Sequence, residues 1–316
     1  MTTAVTPWFA LHLPSYTFPD VPVAGIFDRI AAQARAAEAA GFSMVTVMDH
    51  LYQIPGIGRA EEPMLEAWSV LAALARETRT VRLATLVTGV TYRNPAILAK
   101  TATALDVISG GRAVLGLGAA WHEEEHEAFG VPFPPIGERM DRLDEALTII
   151  KGMFSGERTT FEGPHYQVHD VMNQPLPVQA GGPRILVGGG GEQRTLRIVA
   201  RHADLAHWFP LGMDVLARKT ELLAGYCEAI GRDPATVERT LAAPVLVAAT
   251  QADADRMRAF LPEERRAHVT AGTPERAADA LRPYLDAGFT GFTFNNNIYR
   301  TPDQIAVLGE LLALLA

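Results

Sequence analysis

The chain has 316 residues, 48% of them hydrophobic and 20% charged, with one cysteine and a formal charge of −8. A chain of this length and ordinary globular composition buries its core without staples, as one large α/β barrel or two smaller domains. The modest acidic excess without any basic run argues against a nucleic-acid surface, the lone Cys227 excludes an internal disulfide or a Cys-rich zinc site, and no apolar run reaches the ~20 residues of a membrane span.

The first elements alternate in type. Trp8 to Leu13 reads as a strand, Ala24 to Ala40 as a helix stopped by Gly41, and Met44 to Met48 as a second strand. A helix from Met64 to Glu77, a strand from Val81 to Val87, a helix opened by Pro95 and a strand from Ala113 to Leu117 follow. Arg139 to Phe154 is the next helix, and Ser155 to Pro183 is a long polar, Pro-rich excursion. Arg184 to Val187, Leu205 to Trp208, Pro244 to Ala248 and Gly291 to Phe294 complete the strands. Helices are expected near Glu192–Arg201, Asp214–Ile230, Ala252–Phe260, Pro274–Ala287 and Pro302–Leu315. Eight strands alternating with helices predict one (β/α)8 TIM barrel over residues 1–316, with an insertion between strands four and five. The N-terminus lacks a basic region followed by a long apolar one, so no leader is expected and the chain reads as soluble and cytoplasmic.

In such a barrel, chemistry gathers where strands end. His12 follows strand one; Asp49 and His50 follow strand two; Thr88, Gly89, Val90 and Thr91 follow strand three. Gly118, Ala119, Ala120, Trp121 and His122 follow strand four, and Gly188, Gly189, Gly190 and Gly191 follow strand five. Four glycines before a helix let backbone amides approach an anion, which reads as a phosphate cradle; the alternative is a flexible turn with no ligand. Two ionisable groups at a strand end are costly unless paired or used, so Asp49 and His50 are the catalytic candidates, with a structural pair capping a loop as the alternative. The ring of glycine, polar and aromatic residues suits a pocket for a large small-molecule ligand.

Residues 122–126 also spell H-E-x-x-H, the spacing of a zinc peptidase. Glu145, nineteen residues past His126, stands near where some such enzymes place a third ligand. The helix there runs only from about Glu123 to Phe129 before a Gly- and Pro-rich stop, and glutamates fill the x positions. The segment therefore reads as the fourth strand-to-helix loop, with Glu123 to Glu125 facing water and no metal bound.

Taken together, MDH after strand two, TGVTYRNPAILAKTATALDVISGGR, LGLGAAWHEEEHEAFG and ILVGGGGEQRTLR resemble the bacterial luciferase-like monooxygenase family, and most of all its branch that uses coenzyme F420. The resemblance implies a (β/α)8 barrel holding a deazaflavin or flavin at the strand C-termini, and a homodimer. Carried over, Asp49 and His50 match the acidic–histidine pair beside the ring, and Gly89–Val90 matches the place where many members have a non-proline cis peptide. Gly118 to Ala120 match the turn lining the cofactor, and Gly189 to Gly191 the phosphate-binding amides. His50 is expected to move the proton, with Asp49 holding the cofactor or setting the histidine's tautomer, and His12, Trp121, His122, Trp208 and Tyr299 are expected to wall the substrate pocket. Two departures stand out. The family's sugar-phosphate and alcohol dehydrogenases carry glutamates after strands one and four, where Leu13 to Ser15 and Trp121 stand here, and a tryptophan soon after the Asp–His pair, where Tyr52, Gln53 and Ile54 stand. The expectation is hydride transfer between F420 and a small organic substrate. An FMN-dependent monooxygenase is the alternative; a non-catalytic flavin- or deazaflavin-binding protein and a zinc peptidase are remoter ones.

Overall fold

The computed structural model describes residues 6–261, 263–266 and 268–316; residues 1–5, the head of the stretch read above for a leader, lie outside it. Eight parallel strands form the barrel: β1 (Trp8–Leu13), β2 (Met44–Val47), β3 (Arg82–Thr85), β4 (Ala113–Gly118), β5 (Arg184–Gly188), β6 (Leu205–Trp208), β7 (Glu238–Ala242) and β8 (Phe289–Asn295). Each pairs with the next, and β8 returns to β1, so the closed sheet leaves no edge open to another chain. A two-residue extension of β3, Thr88–Gly89, pairs with Leu117 and Gly118 at the top of β4.

The helices are α1 (Ile26–Ala39), α2 (Ala67–Glu77), α3 (Pro95–Ser109), α4 (Glu123–Phe129), α5 (Ile136–Phe154), α6 (Thr195–His202), α7 (Met213–Glu228), α8 (Gln251–Ala259), α9 (Glu263–Arg266), α10 (Pro274–Asp286) and α11 (Pro302–Leu315). Their starts follow local chemistry. Glu66 accepts from the amides of Trp68 and Ser69, so α2 begins at Ala67 rather than at Met64. Asn94 caps α3 with Pro95 in its first turn, and Thr301 and Gln304 form a reciprocal capping box on α11.

The seventh strand departs from expectation. Pro244 to Ala248 is not part of the barrel: Val245–Val247 pairs in parallel with Thr270–Gly272 in a separate two-stranded sheet. The barrel strand is the preceding Glu238–Ala242, whose charged start disguises it. Glu238 is accommodated because Arg184 lies 2.9 Å away and the Trp8 indole donates to it at 3.2 Å.

The excursion after α5 holds an antiparallel hairpin, Thr159–Glu162 with Gln167–Val171. It is tied to the barrel by Tyr166, which donates to the Val90 carbonyl at 3.2 Å, and by the buried Asp106, which accepts from both the amide and the side chain of Gln179.

Side chains alternate along a strand, so the packing inside the barrel fixes which residues reach its mouth. Ala10, Met44, Ala84, Val114, Leu186 and Leu205 form one apolar cluster within it. One pleat further along, β1, β2, β4, β5 and β6 present His12, Thr46, Gly116, Gly188 and His207. The apolar plug thus carries a floor of histidine, threonine and glycine.

Candidate active site

Leu86 and Val87 cross this floor after β3, joined by a non-proline cis peptide. The cis bond is here and not at Gly89–Val90. Gly89 lies in the extension paired to β4, where a Cβ would come 2.9 Å from the Tyr92 ring and 3.1 Å from Ala120. Val87 rests over strand-end glycines: a Cβ on Gly118 or Gly188 would come within 2.8 or 3.1 Å of its methyls. Val90 is buried, and the Thr88 hydroxyl is buried with no partner among the described residues. Ala119 and Ala120 form the turn above β4, and Ala120 has φ of +61°. Arg139 steadies that turn by donating to the Ala120 carbonyl at 2.6 Å while stacking 3.9 Å above Phe133.

One wall is built around Glu125, on α4 and fully buried. Its carboxylate accepts from His50 Nδ1 at 2.8 Å, from the Tyr52 amide at 2.9 Å, and from the Leu51 amide and the Tyr92 hydroxyl. Burial alone would raise this carboxyl, but hydrogen bonds from His50 and Tyr92 outweigh it and bring it down to about 2. A carboxylate can only accept, so His50 carries its proton on Nδ1 and keeps Nε2 as the free ring nitrogen. Trp121 lies edge-on to the His50 ring at 5.6 Å and stacks on His122 at 4.9 Å.

Asp49 does not set that tautomer. It is buried and held by the Arg93 guanidinium at 2.5 and 3.3 Å, and Arg93 also reaches Glu66 at 2.7 Å. Burial would lower Arg93, but the Asp49 and Glu66 carboxylates outweigh it and hold the guanidinium charged.

The H-E-x-x-H spacing resolves into separate tasks. His122 precedes α4, and His126 is buried with both ring nitrogens used, donating from Nδ1 to the His122 carbonyl at 2.7 Å and accepting at Nε2 from Thr91 at 2.6 Å. Among the described residues no group of three His, Cys, Asp or Glu could hold a metal ion. Glu125 does not face water as its neighbours Glu123 and Glu124 do.

The opposite wall is the glycine loop. Gly189, with φ of +112°, donates to the His207 carbonyl at 3.1 Å. The amides of Gly190, Gly191, Glu192 and Gln193 donate to no protein acceptor among the described residues. Lys219, buried on α7, donates to the Gly190 carbonyl and lies 4.0 Å from Glu192. It was legible in one respect: with Leu216, Leu223 and Cys227 it occupies the inward stripe of α7, where a lysine is costly unless employed. Free amides beside a buried ammonium suit an anion, so the residues present fit a phosphate-bearing planar cofactor.

His207 donates from Nδ1 to Thr240 at 2.9 Å, because the Thr240 hydroxyl gives its own proton to the Ala206 carbonyl at 3.0 Å. His12 meets Thr46 at 2.8 Å. Burial and the nearby His207 hold His12 down at about 3, and burial holds His207 at about 4. The floor is therefore neutral near pH 7. Trp208 and Tyr299 do not wall the pocket. Trp208 points to the other side of β6 from His207 and packs edge-on to Phe289, and the buried Tyr299 accepts from the Val247 amide at 3.0 Å.

Both floor histidines have folded values below the ordinary imidazole value near 6.5, so the unfolded chain takes up protons first and stability falls as pH drops from about 6.5 toward 4. His207→Gln, which keeps a donor to Thr240, should lose about 1–2 kcal/mol less than the parent between pH 7 and pH 5 in urea unfolding. Equal losses would show that His207 is not held neutral.

The comparisons agree with this architecture. A family model described as luciferase-like monooxygenase matches residues 11–266. The chain is 30% identical over 304 residues to the F420-dependent glucose-6-phosphate dehydrogenase of Kineococcus radiotolerans, covering 84% of this chain and 86% of that protein. The structure is similar to the coenzyme F420 dependent tetrahydromethanopterin reductase from Methanopyrus kandleri, with a TM-score of 0.81 at 18% identity over 99% of this chain and 100% of that one. It is also similar to the oxygenating constituent of 3,6-diketocamphane monooxygenase from Pseudomonas putida, solved with FMN, with a TM-score of 0.79 at 18% identity over 98% of each chain. At such identities these structural likenesses show the fold alone. The matched family model and the relative that covers most of the chain establish that this chain belongs to the luciferase-like monooxygenase family and is an oxidoreductase.

Proposed function

We propose that this enzyme transfers a hydride between coenzyme F420 and a small organic substrate, with His50 as the proton donor or acceptor. The observation that carries the reading is the Glu125–His50 pair: a buried carboxylate fixes the imidazole so that one nitrogen, Nε2, remains for proton transfer at the barrel mouth. F420-dependent activity in the relative from K. radiotolerans supports the choice of cofactor. The deazaflavin supplies the hydride carrier when bound.

The rest falls to the chain. The free amides of Gly190 to Gln193, backed by Lys219, would receive the phosphate. Val87, set over Gly118 and Gly188, would support the planar ring, and Ala119 and Ala120 would line its edge. Trp121, 57% exposed, would cover the substrate and limit water around His50. His12 and His207 remain neutral and offer hydrogen-bonding nitrogens without adding charge. Asp49, committed to Arg93, shapes the wall and is not assigned to proton transfer.

His50→Ala should lower kcat by about 10²–10⁴-fold. Glu125→Gln should keep cofactor affinity within about threefold and lower kcat by about tenfold or more, because a neutral amide holds the Nδ1 proton of His50 less firmly than a carboxylate does. An unchanged kcat would remove Glu125 from that role.

The alternative, an FMN-dependent monooxygenase, is favoured by the likeness to the FMN-bound camphane enzyme, since the glycine loop would serve either phosphate. Titrating the protein with F420 and with FMN separates them: the reading stands if F420 binds about tenfold more tightly or better, and falls if only FMN binds and the reduced complex consumes oxygen.

A homodimer is part of the proposal. Ile97 on α3 and Met172, Leu176 and Val178 in the excursion are exposed apolar side chains on one tied surface, where Asn173 donates to Thr103 and Lys100 to the Gln174 carbonyl. Light scattering should give twice the mass of one chain; a monomer at micromolar concentration would reject it. A cytoplasmic setting accords with the single buried Cys227.

A further inference from the structure

The excursion after α5 reaches the site through its hairpin. Tyr166, half-buried there, donates to the Val90 carbonyl at 3.2 Å. The Val90 amide is taken from the other side, donating to the Gly118 carbonyl at 2.9 Å. The buried Val90 is thus pinned between the end of β4 and the hairpin.

α5 holds the hairpin tip in place. The Glu145 carboxylate accepts from the amides of His165 and Tyr166 at 3.2 and 2.9 Å. Gly163 leaves room for it, since a Cβ there would come 2.5 Å from a carboxylate oxygen. The Arg142 guanidinium lies 5.5 Å over the Tyr166 ring and pairs with Glu138 at 2.7 Å. Glu145, spaced from His126 like the third ligand of some zinc peptidases, serves the hairpin instead.

The residues after Val90 give this contact its meaning. Thr91 donates to His126, Tyr92 to the Glu125 carboxylate, and Arg93 to Asp49. Three consecutive side chains therefore enter the wall that carries His50. The Tyr92 amide donates to the Gly89 carbonyl at 3.1 Å, so one tight turn passes the position of Val90 on to the Tyr92 ring.

We propose that Tyr166 is a positioning residue for His50, acting through Val90, Tyr92 and Glu125. The proposal rests on the reading of His50 given above. It gives the hairpin a task in the reaction. The hairpin holds the turn so that the Tyr92 hydroxyl meets Glu125, and the carboxylate, fixed in this way, orients the Nδ1 proton of His50.

Hydrogen exchange of the protein alone, followed by NMR, tests the link without cofactor or substrate. The probes are the three other donors to Glu125: the His50 Nδ1 proton and the amides of Leu51 and Tyr52. The His207 Nδ1 proton, held by Thr240, is the control. Tyr166→Phe removes one oxygen and keeps the ring. It should speed exchange at the three probes by about threefold to tenfold, and at His207 by less than about 1.5-fold. In a Tyr92→Phe background the same change should add less than about 1.5-fold, because the route through the phenol is already cut. No acceleration, equal acceleration at His207, or effects that add in full to those of Tyr92→Phe overturn the proposal. If wild-type His50 carries no proton on Nδ1, the tautomer reading falls, and the two amides still decide the link from Tyr166 to Glu125.

Discussion

The buried carboxylate of Glu125 is the interaction on which one side of the barrel mouth depends. A charge with no exposed surface survives only where enough donors converge on it. Here His50, Leu51 and Tyr52 arrive from the segment after β2 and Tyr92 from the segment after β3, while Glu125 itself follows β4. The same contacts that make the ion tolerable fix the tautomer of His50. Stability and chemistry at this point have one physical cause. The Arg93 bridge between Asp49 and Glu66 extends the network to the start of α2, so the sequence neighbour of His50 is tied into the wall.

The floor obeys a different rule. It is made by the strands themselves, and closure of the barrel decides which residues form it. The pleat that buries Ala10 and Leu205 in the apolar plug brings His12 and His207 up beneath the mouth, and the threonines of adjacent strands hold both rings. Removing two imidazoles from water keeps them uncharged. A planar cofactor would then rest over neutral nitrogens and the Val87 methyls, with its charged end drawn to the glycine loop.

Much of this was legible in the sequence, because hydrophobic periodicity and glycine placement are local signals. Seven of the barrel strands fall where alternation put them, and the glycine run does follow β5 and open toward α6. The seventh strand was hidden because Glu238 and Arg239 break its apolar pattern, and what tolerates them is distant in the chain: Arg184 and Trp8 for Glu238, the Phe289 ring for Arg239. Glu125 was hidden in a run of three glutamates, where nothing local marks the one that turns inward. Trp208 and Tyr299 were misplaced for a related reason: an aromatic residue near a strand end can face the mouth or the helix layer, and for Trp208 a one-residue step in the pleat decides. The cis peptide lies at Leu86–Val87, where a run of ordinary apolar residues gives no glycine or proline as a marker.

The stitching of three successive strand-end segments by Glu125 has a consequence for how the mouth can change shape. Displacing any one of these segments would strip donors from a buried charge, so they move together or not at all. Across the opening stand the glycine loop, the entry to α7 and the excursion after β7, with its own small sheet outside the barrel. The opening has one jaw whose segments share a single buried charge and a second jaw on which, among the described residues, no one charge gathers so many donors. New ligand preferences in this scaffold would therefore arise on the second jaw, leaving the first untouched.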